Sequence, residues 1–167
     1  LYARNTSSQA IETLENQVAQ WENAECAIAF SSGMAAISAV LMALLAPKKR
    51  VVVGQDTYGG ATALLTQTLP QWGVEVEMVD STDETAFFKA MQAGCDLLYL
   101  ETPSNPMLKV QNISQLATWV HGAGALVAID NTVATPINQN PLALGADIVI
   151  HSATKFLCGH ADALGGV

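Results

Sequence analysis

The sequence predicts an α/β fold, a mostly parallel sheet with helices on both faces, on three observations. Apolar runs of strand length alternate along the chain with stretches of helical period. Residues 74–79 alternate apolar and polar, the pattern of a half-exposed strand. Clusters rich in Gly, Pro and Ser at 31–33, 57–60 and 102–106 each follow a strand, at the edge where open α/β sheets bind ligands.

Taken in order, Ile11, Leu14, Val18 and Trp21 recur at steps of three and four, an apolar stripe that predicts a helix over 8–23 with Glu and Gln on its other side. A short buried-type strand over 26–30 follows, then Ser31-Ser32-Gly33 and a helix over 34–45 that stops before Pro47. Val51-Val52-Val53 is the next strand, 60–69 a helix, 74–79 a strand and 83–93 a helix. Strands over 97–100, 126–129 and 148–150 complete the sheet, with a helix over 113–122 between the first two. The chain shows no repeat, linker or low-complexity tract.

With 167 residues, half of them apolar, the chain can bury the core of one domain. The apolar stretch 35–46 is interrupted by Ser and is too short to cross a bilayer, so no membrane span is expected. The first residues carry neither the basic start nor the apolar run of a secretory signal and do not begin with Met; the expectation is a start inside a longer protein. Cys26, Cys95 and Cys158 are far apart and without CxxC spacing, which suggests neither a disulfide framework nor a metal site and fits a reducing cytoplasm. A net charge of −8 with only seven Lys and Arg argues against a nucleic-acid partner.

Three groups carry chemistry. Ser31-Ser32-Gly33-Met34 stands where a strand gives way to a helix, so free backbone N–H groups and the positive end of the helix dipole face outward, a place for an anion such as phosphate. A structural turn is the plainer reading of such a glycine. The nucleotide fingerprints GxGxxG and GxxxxGK[ST] are absent here, which favours a phosphate without a nucleotide. Asp130 ends an apolar strand, where a carboxylate can keep a pyridine nitrogen protonated, or can serve as an ordinary cap or turn residue. Lys155 lies among small hydroxyl residues in His151-Ser152-Ala153-Thr154-Lys155; desolvation would lower its pKa and make it a nucleophile, and the alternative is a solvated surface lysine.

Together these segments resemble the cystathionine/methionine class of pyridoxal-phosphate enzymes: cystathionine synthases and lyases, methionine γ-lyases and homoserine sulfhydrylases. The resemblance rests on Phe30-Ser31-Ser32-Gly33-Met34-Ala35-Ala36, Tyr58-Gly59-Gly60, Glu101-Thr102-Pro103-Ser104-Asn105-Pro106, Asp130-Asn131-Thr132 and Ser152-Ala153-Thr154-Lys155, in the family's order and spacing. It implies the large domain of a type I, aspartate aminotransferase-like transferase, incomplete over 1–167, with a smaller carboxyl-terminal domain outside this chain. It implies that Lys155 holds pyridoxal 5'-phosphate as a Schiff base and moves protons, that Asp130 pairs with the pyridine nitrogen, and that Tyr58 stacks on the ring and assists proton transfer. The backbone amides of Gly33 and Met34, with Ser32 beside them, and the hydroxyls of Ser152 and Thr154 would hold the phosphate; Asn105 would hydrogen-bond the ring hydroxyl oxygen. Tyr2 and Arg4 match a Tyr-x-Arg pair that reaches the phosphate of a neighbouring subunit, which implies a homodimer or homotetramer.

The sequence departs from the family at three places. Asn5-Thr6-Ser7-Ser8-Gln9 replaces the usual two residues and Asn-Pro-Thr after Tyr-x-Arg. Gly60 stands where methionine γ-lyases typically carry Cys. The sequence reaches Gly165-Gly166-Val167 without the Arg that binds the substrate carboxylate in this family. The expected activity is elimination or replacement at the β or γ carbon of a sulfur amino acid or activated homoserine, making or breaking a C–S bond. Two alternatives stay open at this level: a C–S lyase module of a larger biosynthetic protein, and a catalytically incomplete cofactor-binding or dimerising fragment.

Overall fold

The computed structural model describes residues 8–167, and its centre is a five-stranded, all-parallel sheet. The strands are β1 (Arg50–Gly54), β2 (Glu75–Val79), β3 (Leu97–Glu101), β4 (Leu126–Asp130) and β5 (Ile148–Ile150), in the spatial order β2-β1-β3-β4-β5. The half-exposed pattern of β2 fits its place at one edge.

Side-chain alternation divides the core between the two faces. Val52, Leu98, Leu100, Val127 and Ile129 point to the face covered by α4 (Glu84–Gln92) and α5 (Ile113–Gly122), where Phe87, Met91, Leu116 and Val120 meet them. Val51, Val53, Leu97, Tyr99 and Ala128 point to the other face, against Ile37 and Leu41 of α2 (Gly33–Leu44) and Ala61 of α3 (Gly59–Ala63). Helices therefore cover both faces, as the sequence predicts. None of the described helices is long and apolar enough to cross a membrane.

Most helix limits follow from caps. In α1 (Gln9–Glu22) the Ser8 hydroxyl accepts from the Ile11 amide at 3.3 Å, and Asn23 ends the helix in the left-handed region at φ 55°. Asp83 and Asn112 cap α4 and α5 in the same way, accepting from the amides of Ala86 and Gln115. The helix expected over 60–69 is broken into α3, a π-helical turn (Leu64–Thr68) and a 3-10 turn (Leu69–Trp72). Pro70 has no N–H to continue an α-helical ladder, and Gly73 closes the segment at φ 78°.

The strand expected over 26–30 does not form. Only Phe30 pairs, in an isolated antiparallel bridge with Gly166. The Ala29 amide is instead taken by Glu15 Oε1 at 2.8 Å, and Ile28 is exposed. The segment is tied to α1 rather than to the sheet.

Candidate active site

The strand order reverses between β1 and β3: β2 lies on one side of β1, and β3, β4 and β5 extend on the other. The loops leaving the carboxyl ends of β1 and β3 lead to helices on opposite faces of the sheet, α3 and α5, which makes this the switch point where such sheets usually bind ligands in a crevice. Tyr58 stands on the loop after β1, Asn105 on the loop after β3, Asp130 at the end of β4, and Ser152 to Lys155 on the turn after β5.

Asp130 is 5% exposed, at the same register as Glu101 on β3 and Ile150 on β5. Its Oδ1 accepts from the Thr132 amide at 3.1 Å, and the Thr132 hydroxyl in turn accepts from the Ser152 amide at 2.7 Å. Burial raises the Asp130 carboxyl above its ordinary value, opposed mainly by the hydrogen bonds from Thr132. Glu101, also 5% exposed, is pushed up to about 7 by burial and then by the Asp130 charge. The same two carboxylates, after burial itself, hold the Tyr99 phenol well above its ordinary value. Two acidic groups side by side in a low-dielectric crevice make a place where a cation is welcome.

The anion-binding half lies next to it. Ser32 caps α2 through its hydroxyl, which accepts from the Ala35 amide at 3.1 Å, while the first-turn amides of Gly33 and Met34 have no intrahelical acceptor to meet. A Cβ at Gly33 would lie 2.7 Å from Cβ and 2.8 Å from Oγ of Ser152, so only glycine lets the Ser152 hydroxyl reach this helix start. The structure thus brings Ser32, Gly33, Met34 and Ser152 together. Met34 also approaches Tyr58: a Cβ at Gly60 would meet Tyr58 Cε1 at 2.7 Å and Met34 Sδ at 2.8 Å.

Two residues differ from expectation. The Thr154 hydroxyl is engaged with Gly165, donating to its carbonyl and accepting from its amide, both at 3.2 Å, so holding a phosphate oxygen requires it to leave the carbonyl. Lys155 is exposed on the turn after β5, the solvated rather than the desolvated of the two placements that the sequence leaves open. Tyr2 and Arg4 lie outside the described residues.

Glu22 is not among the residues that the sequence singles out. It follows Val18 by four residues and so lies on the buried side of α1, where its Oε1 accepts from Asn131 Nδ2 at 2.9 Å and pairs with His151 Nε2 at 2.6 Å. Asn131 is held further by Gln139, which donates to its Oδ1 at 2.9 Å. Polar residues beside Asp130 and Ser152, in Asp130-Asn131 and His151-Ser152, are the available signal that a buried acceptor is needed nearby.

Known proteins resemble this chain in sequence and fold. The family model described as "Cys/Met metabolism PLP-dependent enzyme" matches residues 1–167. Cystathionine gamma-lyase of Bacillus subtilis is 43% identical over 99% of this chain, which covers 43% of that protein. An L-methionine gamma-lyase of Fusobacterium nucleatum is 44% identical over 92% of this chain, which covers 39% of that protein. The crystal structure of metB from Corynebacterium glutamicum superposes with a TM-score of 0.92 at 40% identity, covering 95% of this chain and 41% of that one. The chain spans less than half the length of the curated relatives it matches. With the family model matched from first residue to last, and relatives 43% and 44% identical over nearly the whole chain, the chain belongs to the family of Cys/Met metabolism PLP-dependent enzymes.

Proposed function

We propose that this chain is the cofactor-binding part of an enzyme that eliminates or replaces the sulfur or activated oxygen substituent of a sulfur amino acid or activated homoserine, making or breaking a C–S bond. One observation carries the reading: a buried carboxylate, Asp130, joined through Thr132 and Ser152 to the amino end of α2, so that a cation-seeking and an anion-seeking group share one crevice. Pyridoxal 5'-phosphate, with a basic ring nitrogen and a phosphate at opposite ends, fits that donor set.

Asp130 would accept a hydrogen bond from the protonated ring nitrogen, and its burial makes that pairing favourable. The Gly33 and Met34 amides and the Ser152 hydroxyl would donate to phosphate oxygens, with Ser32 holding the helix start in place and Thr154 joining when its hydroxyl turns from Gly165. Tyr58 would lie over the ring face, and Asn105 would donate to the ring oxygen. Bound pyridoxal phosphate supplies an electron sink for loss of a proton from the substrate's α carbon. Lys155 would attach the cofactor through its Nζ and, once released, carry protons at the substrate carbons.

The near-equal identities to a cystathionine lyase and a methionine lyase leave the substrate a matter for assay. Gly60 stands where methionine γ-lyases typically carry Cys, which weighs against methionine cleavage. Tyr2 and Arg4 are proposed to reach the site of a second copy, in a homodimer or homotetramer, and the substrate-carboxylate contact is assigned to a smaller carboxyl-terminal domain. Three unpaired cysteines fit a reducing, cytoplasmic setting. The exposure of Lys155 favours a second reading, a chain that binds cofactor but turns over only with further polypeptide around it.

The test is the visible absorbance of the complete protein after addition of pyridoxal phosphate. A band from lysine-bound cofactor that disappears in Lys155→Ala supports the assignment; no band in the wild type overturns it. Product analysis with cystathionine, methionine and acylated homoserines then sorts the reaction.

A further inference from the structure

Glu101 ends β3, a strand whose other four residues are buried and apolar or aromatic, and its two carboxylate oxygens are committed in different directions. Oε2 accepts from the Tyr58 amide at 2.6 Å and Oε1 from the Asn105 amide at 3.1 Å. These amides open the two loops that diverge at the reversal of strand order. A second tie joins the same loops, where Lys109 Nζ meets Asp56 Oδ2 at 2.9 Å, while the Lys109 amide donates to the Ser104 hydroxyl within its own loop.

The residues held by Glu101 are not core. Tyr58 is 52% exposed and Asn105 is exposed, so apolar packing does not fix where their side chains stand. A purely structural carboxylate would more naturally satisfy buried amides. Placing it beside Asp130 sets two like charges at matched positions on neighbouring strands, an arrangement unfavourable for folding that finds its use at a ligand site.

We propose that Glu101 is a positioning residue that sets Tyr58 and Asn105 around the cofactor ring through two charge-assisted hydrogen bonds to their backbones. The inference rests on the reading of the crevice as a pyridoxal-phosphate site. Glu101 touches neither the ring nor the substrate in this scheme; it acts through the two loops. Glutamine has the right length but only one acceptor oxygen, so Glu101→Gln keeps one bond and turns an NH2 toward the other amide, whereas Glu101→Ala loses both.

The experiment uses the complete protein in two arms. In the cofactor-free protein, amide hydrogen exchange at Tyr58 and Asn105 is expected to accelerate about tenfold or more in Glu101→Ala, with one of the two amides retaining protection in Glu101→Gln. In the second arm the dissociation constant for pyridoxal phosphate is expected to rise about tenfold in Glu101→Ala and less in Glu101→Gln. Unchanged exchange at both amides overturns the proposal, as does faster exchange with unchanged affinity. Acceleration spread evenly over the whole chain marks a structural role and also overturns it. If Glu101→Ala does not fold, Glu101→Gln decides: both amides as protected as in wild type, or unchanged affinity, overturns the inference. A wild type that binds no pyridoxal phosphate defeats the functional reading, and the inference with it, while the exchange arm still reports whether the two hydrogen bonds exist.

Discussion

Oε1 of Glu22 lies 2.6 Å from Nε2 of His151, with both side chains buried, and the same oxygen accepts from Nδ2 of Asn131. One helix end is thereby locked to the residues that follow β4 and β5. His151 and Asn131 each adjoin a proposed site residue, Ser152 and Asp130, so this hydrogen-bonded trio ties α1 to the segments that carry both.

Removing this acceptor should be costly. Glu22→Ala leaves the His151 Nε2 without its partner and takes one of two acceptors from the Asn131 amide, which keeps the Gln139 carbonyl, and an orphaned buried polar group costs about 1–3 kcal/mol. Urea unfolding of the complete protein should show a loss in that range or above it, with Glu22→Gln milder because its carbonyl oxygen still accepts.

Gly33→Ala should damage both folding and phosphate affinity. The new methyl group would lie 3.0 Å from Cα of Ser152, which cannot turn aside as a side-chain end can. Overpacking of this kind costs about 1–3 kcal/mol. Thermal melting should fall, and the dissociation constant for pyridoxal phosphate should rise by about tenfold for each 1.4 kcal/mol by which binding is weakened.

Gly60→Ala should behave differently. Its Cβ would press on the exposed Tyr58 ring and on the end of the Met34 side chain, both able to move. Stability should change by less than about 1 kcal/mol. The displaced ring should still shift the absorbance of bound cofactor, so an unchanged spectrum would count against Tyr58 as the stacking residue.

Stability of the cofactor-free protein should fall as pH rises. Glu101 titrates near 7 when folded, against an ordinary value of 4.5, so between these values the folded state holds a proton that the unfolded state has released. The unfolding free energy therefore declines across that window and levels off above it. The raised Asp130 carboxyl acts in the same sense. Urea midpoints measured from pH 4 to pH 8 should show the decline, and Glu101→Gln should flatten much of it.

Much of this is legible in the sequence, for identifiable reasons. Leu97 to Leu100 and Leu126 to Ile129 are apolar runs that line the centre of the sheet, and a carboxylate closing each run marks the ligand edge. Gly33 followed by an apolar helix announces the anion-binding turn. The departures share a cause: they depend on neighbours distant in sequence. Residues 26–30 have a strand's composition, but Glu15 from α1 captures the Ala29 amide. Glu22 shares the buried side of α1 with Val18, but what satisfies a charged side chain there is invisible locally, because its partners lie more than a hundred positions away. Local composition around Lys155 suggests burial, whereas exposure depends on what packs over the turn.

The antiparallel bridge between Phe30 and Gly166 encloses all five strands within the loop it closes. Such a clasp forms only after the intervening chain has been laid down in register, and parallel pairings of this kind have no hairpin to shorten the search. Acquisition of the native state should therefore be slow and governed by distant encounters. The amino end of α2, immediately after Phe30, would be completed among the last parts, so a nascent chain should gain affinity for its cofactor late rather than progressively.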